Sequence, residues 1–340
     1  MAGRPACDTP AMGQPSATPL PHDRRETGVE PLLFVLLAAA WGSSYLFIKI
    51  GVETLPVLSL VTWRLVFGTG FLVLAVAAMR VPLPRDPRMI GRLAVLSVIN
   101  VVVPFALITW AEQSIDSGLA SILNATTPFF TLLLSVLVLR GDRMTGIRLA
   151  GLFVGFAGVI VVSSGSLGGP GALGEVAGIL AVVAASVSYA LGNTFFARQV
   201  RGRVDPTAAA LGQVGLALPM VAGLSLVVDG SVAVPSVPEA LFSVAWLGMV
   251  GSGFAYLFFF RLLAVWTPTR VSLVTYLMQV VAVGLGVIVL GEPLTVGFVA
   301  GAILVVGGIA MVNVRSVPWR TGAANRPSVA PETEISVPEP

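Results

Sequence analysis

The chain has 340 residues, of which 56% are apolar and only 11% charged, with a mean hydropathy of +0.91. No ordinary soluble domain has that balance, so the solvent this sequence suits is lipid. The net charge of +3 and the pI near 9.5 do not signal a nucleic-acid binder, because the basic residues are scattered through short loops rather than gathered in a stripe.

Residues 1–30 are rich in Pro, Gly, Ser and charge and lack the apolar stretch of a cleavable secretory signal, which predicts a disordered tail. Residues 315–340 read the same way. Between the tails, ten apolar runs are long enough to cross a hydrocarbon core as helix, which takes about 20 residues. The first four are Pro31 to Ile50, Val57 to Met79, Ile90 to Trp110 and Gly118 to Leu139. Ile147 to Ser163, Leu173 to Ala197, Thr207 to Val228, Ala240 to Leu263, Thr269 to Leu290 and Val296 to Val314 follow. A β-barrel would show short alternating segments instead, and an open sheet would leave backbone groups without partners in lipid. The expected fold class is therefore an all-α membrane protein with ten transmembrane helices.

Orientation follows from the bias of Lys and Arg toward cytoplasmic loops. Of the 20 basic residues, all but Lys49 and Arg64 fall in the tails, or in or beside alternate connections, between the second and third, fourth and fifth, sixth and seventh, and eighth and ninth runs. Both termini are predicted to be cytoplasmic. The single Cys, Cys7, and the single His, His22, lie in the N-terminal tail. That leaves the membrane portion without a thiol, an imidazole or a zinc site, and no metal or cofactor is expected.

The two halves resemble each other. Leu36 to Tyr45 (LLAAAWGSSY) lies over Leu180 to Tyr189 (LAVVAASVSY), and Gly141, Asp142, Thr145, Gly151 and Gly158 lie over Gly291, Glu292, Thr295, Gly301 and Gly308 at a constant offset of 150 residues. Five spans per half is odd, so the second copy enters the membrane inverted, an arrangement typical of secondary transporters. The predicted organisation is two inverted five-helix repeats, 31–165 and 172–314, between tails 1–30 and 315–340.

On these features the sequence resembles the drug/metabolite transporter superfamily, specifically the ten-span EamA-like permeases. The resemblance is carried by Trp41-Gly42-Ser43-Ser44-Tyr45, Arg64, Asn124 to Pro128 (NATTP), Gly291-Glu292 and the paired halves. It departs from the family pattern at Gly141-Asp142, where Gly-Glu is usual with one residue fewer after Pro128, and at Gln279, where a Pro matching Pro128 is usual. The resemblance implies export of small metabolites, amino acids or toxic compounds and leaves the cargo open.

Polar groups inside spans are costly and face the bundle interior or a water-filled cavity. On the fourth span Ser117, Ser121, Asn124, Pro128, Thr131 and Ser135 recur at three- and four-residue steps, which places them on one stripe. Trp41, Ser44, Tyr45 and Lys49 on the first span, Tyr189 and Asn193 on the sixth, and Ser272, Thr275, Tyr276 and Gln279 on the ninth behave alike. The candidate substrate-binding residues are Trp41, Ser44, Tyr45, Lys49, Asn124, Pro128, Tyr189, Asn193, Tyr276 and Gln279. Helix–helix hydrogen bonding is the alternative for each stripe, and snorkelling to the surface is the alternative for Lys49. Arg64 wants a partner, with Glu53 and Glu112 nearest in depth, so Arg64 and Glu112 are assigned a structural, charge-pairing role ahead of solute contact. Pro104, Pro128 and Pro219 interrupt helices near mid-span, either to bind solute or to kink. The small-xxx-small pairs Gly151/Gly155 and Gly297/Gly301 read as close packing within the monomer.

The expected function is a secondary carrier in a plasma membrane. Its partners are a small-molecule solute and the lipid bilayer, with no nucleic acid, as a monomer or homodimer. No Asp or Glu sits deep in a span, which favours a facilitator or exchanger, with Glu112 as the peripheral group proton coupling would have to use. No nucleotide-binding loop of the Walker type is present. The rivals are a membrane enzyme on lipid-linked substrates, which would have only Glu112, Asp116 and Glu292 to work with, and a receptor or scaffold.

Overall fold

The computed structural model describes residues 28–134, 136–137, 144–164, 171–266, 271 and 273–313. Among them there is no strand, and ten apolar helices follow one another: α1 Glu30–Val52, α2 Val57–Met79, α3 Pro87–Ala111, α4 Ser117–Leu134, α5 Gly146–Ser163, α6 Ala172–Gln199, α7 Pro206–Val228, α8 Pro238–Leu262, α9 Val274–Leu290 and α10 Val296–Asn313. Nine are of membrane-crossing length, and α9, which starts after a turn at Leu273, has 17 residues; its expected start at Thr269 lies outside the described residues. The Gly141-Asp142 pair, Ser135, Ser272 and most of both tails also lie outside them.

The helices are apolar on every side, because one face meets protein and the other meets hydrocarbon. Leu74, Val227 and Ile288 point outward, while Leu37, Leu60, Leu65 and Leu123 are fully buried between helices. Ends are marked by local chemistry. Asp86 and Asp205 cap the first free N–H groups of α3 and α7, each followed by a Pro whose missing N–H costs nothing there. Gly291 ends α9 with φ +69, a left-handed conformation that a side chain would strain.

Helix packing follows the exchange of one half for the other. Helix α2 packs on α7, α4 on α9 and α5 on α10; α1 packs on α8 and α9 just as α6 packs on α3 and α4; and α2 meets α8 as α7 meets α3. Both α3 and α8 also contain a π-helical turn, Val98–Val102 and Leu247–Phe254, at nearly the spacing that relates Gly158 to Gly308.

The tightest helix pair is α5 with α10, and its contact is made by Gly151 and Gly158 against Gly301 and Gly308. A Cβ on Gly308 would stand 2.6 Å from the Gly151 carbonyl oxygen and 2.7 Å from the Gly155 Cα, both backbone atoms that cannot step aside. The four-residue spacings expected to make this contact are corrected in part. Gly155 faces the Phe129 ring as well as Gly308, and Gly297 has nothing nearer than 3.9 Å, so the working spacing along α10 is seven residues. Gly307, one residue away, has open space around it. Gly308→Ala is therefore expected to destabilise the protein by about 1–3 kcal/mol through overpacking, while Gly307→Ala is neutral or slightly stabilising through helix propensity. Thermal unfolding of the two variants in detergent checks the contrast.

Candidate functional site

Three helices are interrupted around the centre of the bundle, and each interruption is repaired by a side chain. In α3 the π turn precedes Pro104, and the carbonyl of Ile99 accepts a 2.6 Å hydrogen bond from the Ser188 hydroxyl on α6. In α4 the helix breaks at Ala125 and Thr126, ahead of Pro128. There the hydroxyl of Thr126 donates to the Leu123 carbonyl at 2.7 Å and that of Thr127 to the Asn124 carbonyl at 2.8 Å. In α8 the Leu247 carbonyl accepts from the Ser252 hydroxyl across the π turn. Pro219, expected to interrupt its helix, instead lies inside an α7 that runs on without a break.

Between these interruptions lies a cavity of about 750 Å³, walled by both halves of the chain. That volume suits a small organic solute. Its border reaches the end of the bundle where α1 starts and α10 finishes, through Arg148, Ala197 and Asn313. Toward the opposite end it stops at Ile48 and Ile108.

Of the residues selected from sequence, Trp41, Ser44 and Tyr45 on α1, Asn124 and Pro128 on α4, Tyr189 and Asn193 on α6, and Gln279 on α9 border this cavity. Asn124 ties three helices together: its amide donates to the Tyr45 hydroxyl at 2.8 Å, and its carbonyl oxygen accepts from Ser186 at 3.3 Å. Lys49 and Tyr276 do not border it. Lys49 donates to the carbonyls of Glu112 and Ile115, both at 2.8 Å, beyond the cavity's closed end. The Tyr276 hydroxyl accepts from the Asn313 amide at 3.1 Å. Ser117 and Ser121, from the same stripe as Asn124, are fully buried in helix contacts instead.

The charge pair expected for Arg64 is not formed. Glu53 is exposed, and both carboxyl oxygens of the fully buried Glu112 lack a hydrogen-bond partner among the described residues. Arg64 itself borders the cavity; its Nε donates to the Ser252 hydroxyl at 3.3 Å and its guanidinium carbon lies 3.8 Å from the Phe105 ring centroid. Composition and periodicity drew attention to the charge but not to this setting, which is made by α3 and α8. Asn100, Phe105, Ser252 and Tyr256 also border the cavity and escaped selection. The glycines at 248, 251 and 253 that flank Ser252 were the available signal, since the first would carry its Cβ to 2.5 Å from the Arg64 carbonyl oxygen.

The closed end is held by polar links between the halves. The Glu292 carboxylate accepts from the backbone N–H of Ser117 at 2.7 Å and of Gly118 at 2.9 Å, so it caps the N-terminus of α4 from 174 residues away. Asp116, the residue in the capping position, makes no cap hydrogen bond of its own. The Ser114 hydroxyl donates to the Gly174 carbonyl at 3.1 Å. Burial pushes the Glu112 carboxyl, just beyond α3, well above the usual carboxylate range; Glu292 adds to the rise and the Lys49 ammonium opposes it. Burial raises Asp116 as well, with Glu292 again contributing.

Because the fold favours the neutral acid at Glu112, the stabilisation from that group is full below the ordinary carboxylate pKa and is lost as pH rises through the raised value. Glu112→Gln is expected to flatten the decline of the thermal midpoint toward alkaline pH. Thermal unfolding of both proteins from mildly acidic to alkaline buffer checks it; identical profiles would show that Glu112 does not titrate in that range.

The model of the EamA-like transporter family matches the chain twice, over residues 29–164 and 176–314. The chain is 31% identical to the "Uncharacterized inner membrane transporter YedA" of Escherichia coli K12 over 274 residues, which cover 78% of this chain and 85% of that protein. It is 28% identical to a "Probable amino-acid metabolite efflux pump" of the same organism over 303 residues, covering 87% and 97% respectively. A solved crystal structure superposes with a TM-score of 0.61 over 84% of this chain and 96% of the other at 19% identity, a likeness of fold alone.

Proposed function

This chain belongs to the EamA-like transporter family, and on that premise we propose that it is an alternating-access secondary carrier that exports a small metabolite, amino acid or drug-like compound across the inner membrane. The observation that carries this reading is the cavity between the two halves, which extends to one end of the bundle and stops short of the other, where polar links lie beyond it.

Two inverted five-helix repeats, 31–165 and 172–314, would account for the exchange pattern of helix packing and for the paired π turns. Related halves that rock about a central site expose it to one side and then to the other. The wide end carries Arg148, Arg198 and Arg261, so the positive-inside bias assigns it to the cytoplasm, together with both termini. The solute then loads from the cytoplasm, as export requires. The expected solute contacts are the cavity-bordering residues Trp41, Ser44, Tyr45, Asn124, Pro128, Tyr189, Asn193 and Gln279. Lys49 acts in this reading as a closure at the plugged end, while Tyr276 links α9 to α10 through Asn313 at the other. The absence of nucleotide-loop chemistry leaves solute or ion gradients as the driving force.

Orientation is checked with an alkaline phosphatase reporter, active only outside the cytoplasm, fused at Gly168. Activity is expected, and an inactive fusion would reverse the topology. Alternation is checked at the plugged end. A Cβ on Gly178 would stand 2.8 Å from the Ser114 hydroxyl oxygen, close enough for a disulfide between Ser114→Cys and Gly178→Cys in a Cys7→Ser background. Oxidation is expected to stop counterflow of an amino-acid and metabolite panel in proteoliposomes, and reduction to restore it. Full flux in the cross-linked protein would rule out opening at that end.

A further inference from the structure

We propose that Arg64 is the anchor for the carboxylate of a small organic anion carried in the central cavity, an assignment that rests on the carrier reading above. Arg64 is 6% exposed and stands in the cavity wall. Its two described contacts, the Ser252 hydroxyl at Nε and the face of Phe105, are both neutral. No carboxylate lies within ion-pair distance of it among the described residues, and the buried Glu112 makes no hydrogen bond to it. A guanidinium presents five N–H donors in a planar fork that matches a carboxylate. One donor is occupied by Ser252, and the Phe105 stack holds the plane, so the terminal nitrogens remain for a group that enters the cavity.

A buried charge without a counter-ion is expensive in a membrane protein and marks a functional position. Arg64 has that signature, and its surroundings select the sign of the ligand. Among the described residues bordering the cavity none carries a carboxylate, and Arg64 places a positive charge in the wall. Among the described residues a cationic solute would meet Arg64 and no carboxylate, whereas an anion would meet complementary charge.

A second, independent feature points to a ligand with a polar head. Gln279 borders the same cavity, is 3% exposed, and neither its amide nitrogen nor its carbonyl oxygen has a partner among the described residues. Buried polar atoms in that state are exceptions that need an explanation, and a solute that the amide rotates to meet supplies one. The wall also carries aromatic rings, from Trp41, Tyr45, Tyr189, Tyr256 and Phe259, beside the amides of Asn100, Asn124 and Asn193. The occupant that fits is a carboxylate on an aromatic or alkyl body.

The test uses phenylacetate, its neutral isostere phenylacetamide, the cation phenethylammonium, and the shorter and longer arylalkanoates, with the purified full chain. Calorimetric titration of the wild-type protein is expected to show an arylalkanoate binding at least about tenfold tighter than its amide, the loss of one charge-assisted contact. Arg64→Gln should bring acid and amide to parity, and Arg64→Lys should retain part of the difference. The wild-type comparison stands even if a variant fails to fold. Equal affinity for acid and amide, tighter binding of phenethylammonium, or no binding of any arylalkanoate would overturn the assignment. Counterflow in proteoliposomes separates the two levels. Acid bound selectively but not moved defeats the carrier reading and leaves the anchor, whereas acid and amide moved equally defeat the anchor and leave the carrier.

Discussion

In a bilayer every backbone N–H and C=O must find a partner inside the protein, and this constraint shapes the molecule more than any other. Seven of the ten helices meet it by running without interruption. The three that do not, α3, α4 and α8, break where they border the cavity, and hydroxyls donate to backbone carbonyls at the breaks. Ser188 serves Ile99, Thr126 and Thr127 serve Leu123 and Asn124, and Ser252 serves Leu247. The Ser188 bond crosses from one half of the chain to the other, so the geometry of the cavity wall depends on the halves being docked.

The two ends of the bundle are unlike. At the plugged end, Lys49 binds carbonyls beyond α3, Glu292 caps α4 and Ser114 reaches α6, so side chains bridge to the backbone of neighbouring helices at several points. Each is one or two hydrogen bonds, worth about 0.5–3 kcal/mol net depending on charge. A small set of such links biases a two-state equilibrium without freezing it. By contrast α5 and α10 meet through glycine backbones with no room between them. That contact leaves α5 and α10 no room to slide, whereas the links at the plugged end are individually weak.

Much of the site was legible from periodicity. Trp41, Ser44 and Tyr45 share a face of α1 with Lys49, and Asn124 shares one of α4 with Ser117 and Ser121, because helical spacing puts residues three and four apart side by side. Depth along the helix then divides each stripe. Lys49 lies past the cavity floor on the same face as Tyr45, and Ser117 and Ser121 lie where α9 and α6 close over α4. Arg64 is anomalous in the sequence, but depth alone does not give its partner, since Glu112 is near in depth yet its carboxyl oxygens meet no hydrogen-bonding group among the described residues. Gly307 and Gly308 are adjacent and chemically identical, and only the position of α5 makes one indispensable and the other free.

Hydropathy, the alternation of basic loops and the repeat across the halves were determined by the sequence alone: a lipid-embedded protein of apolar helices with a polar interior. These are properties of single segments, summed along the chain, and local composition encodes them. Tertiary structure decided which polar face meets solvent-filled space and which meets another helix, that α3 and α8 carry π turns, and that Glu292 caps a helix from the other half. Those depend on which helices become neighbours and at what depth. No stretch of sequence specifies that by itself, because a helix face records its polarity and not its partner.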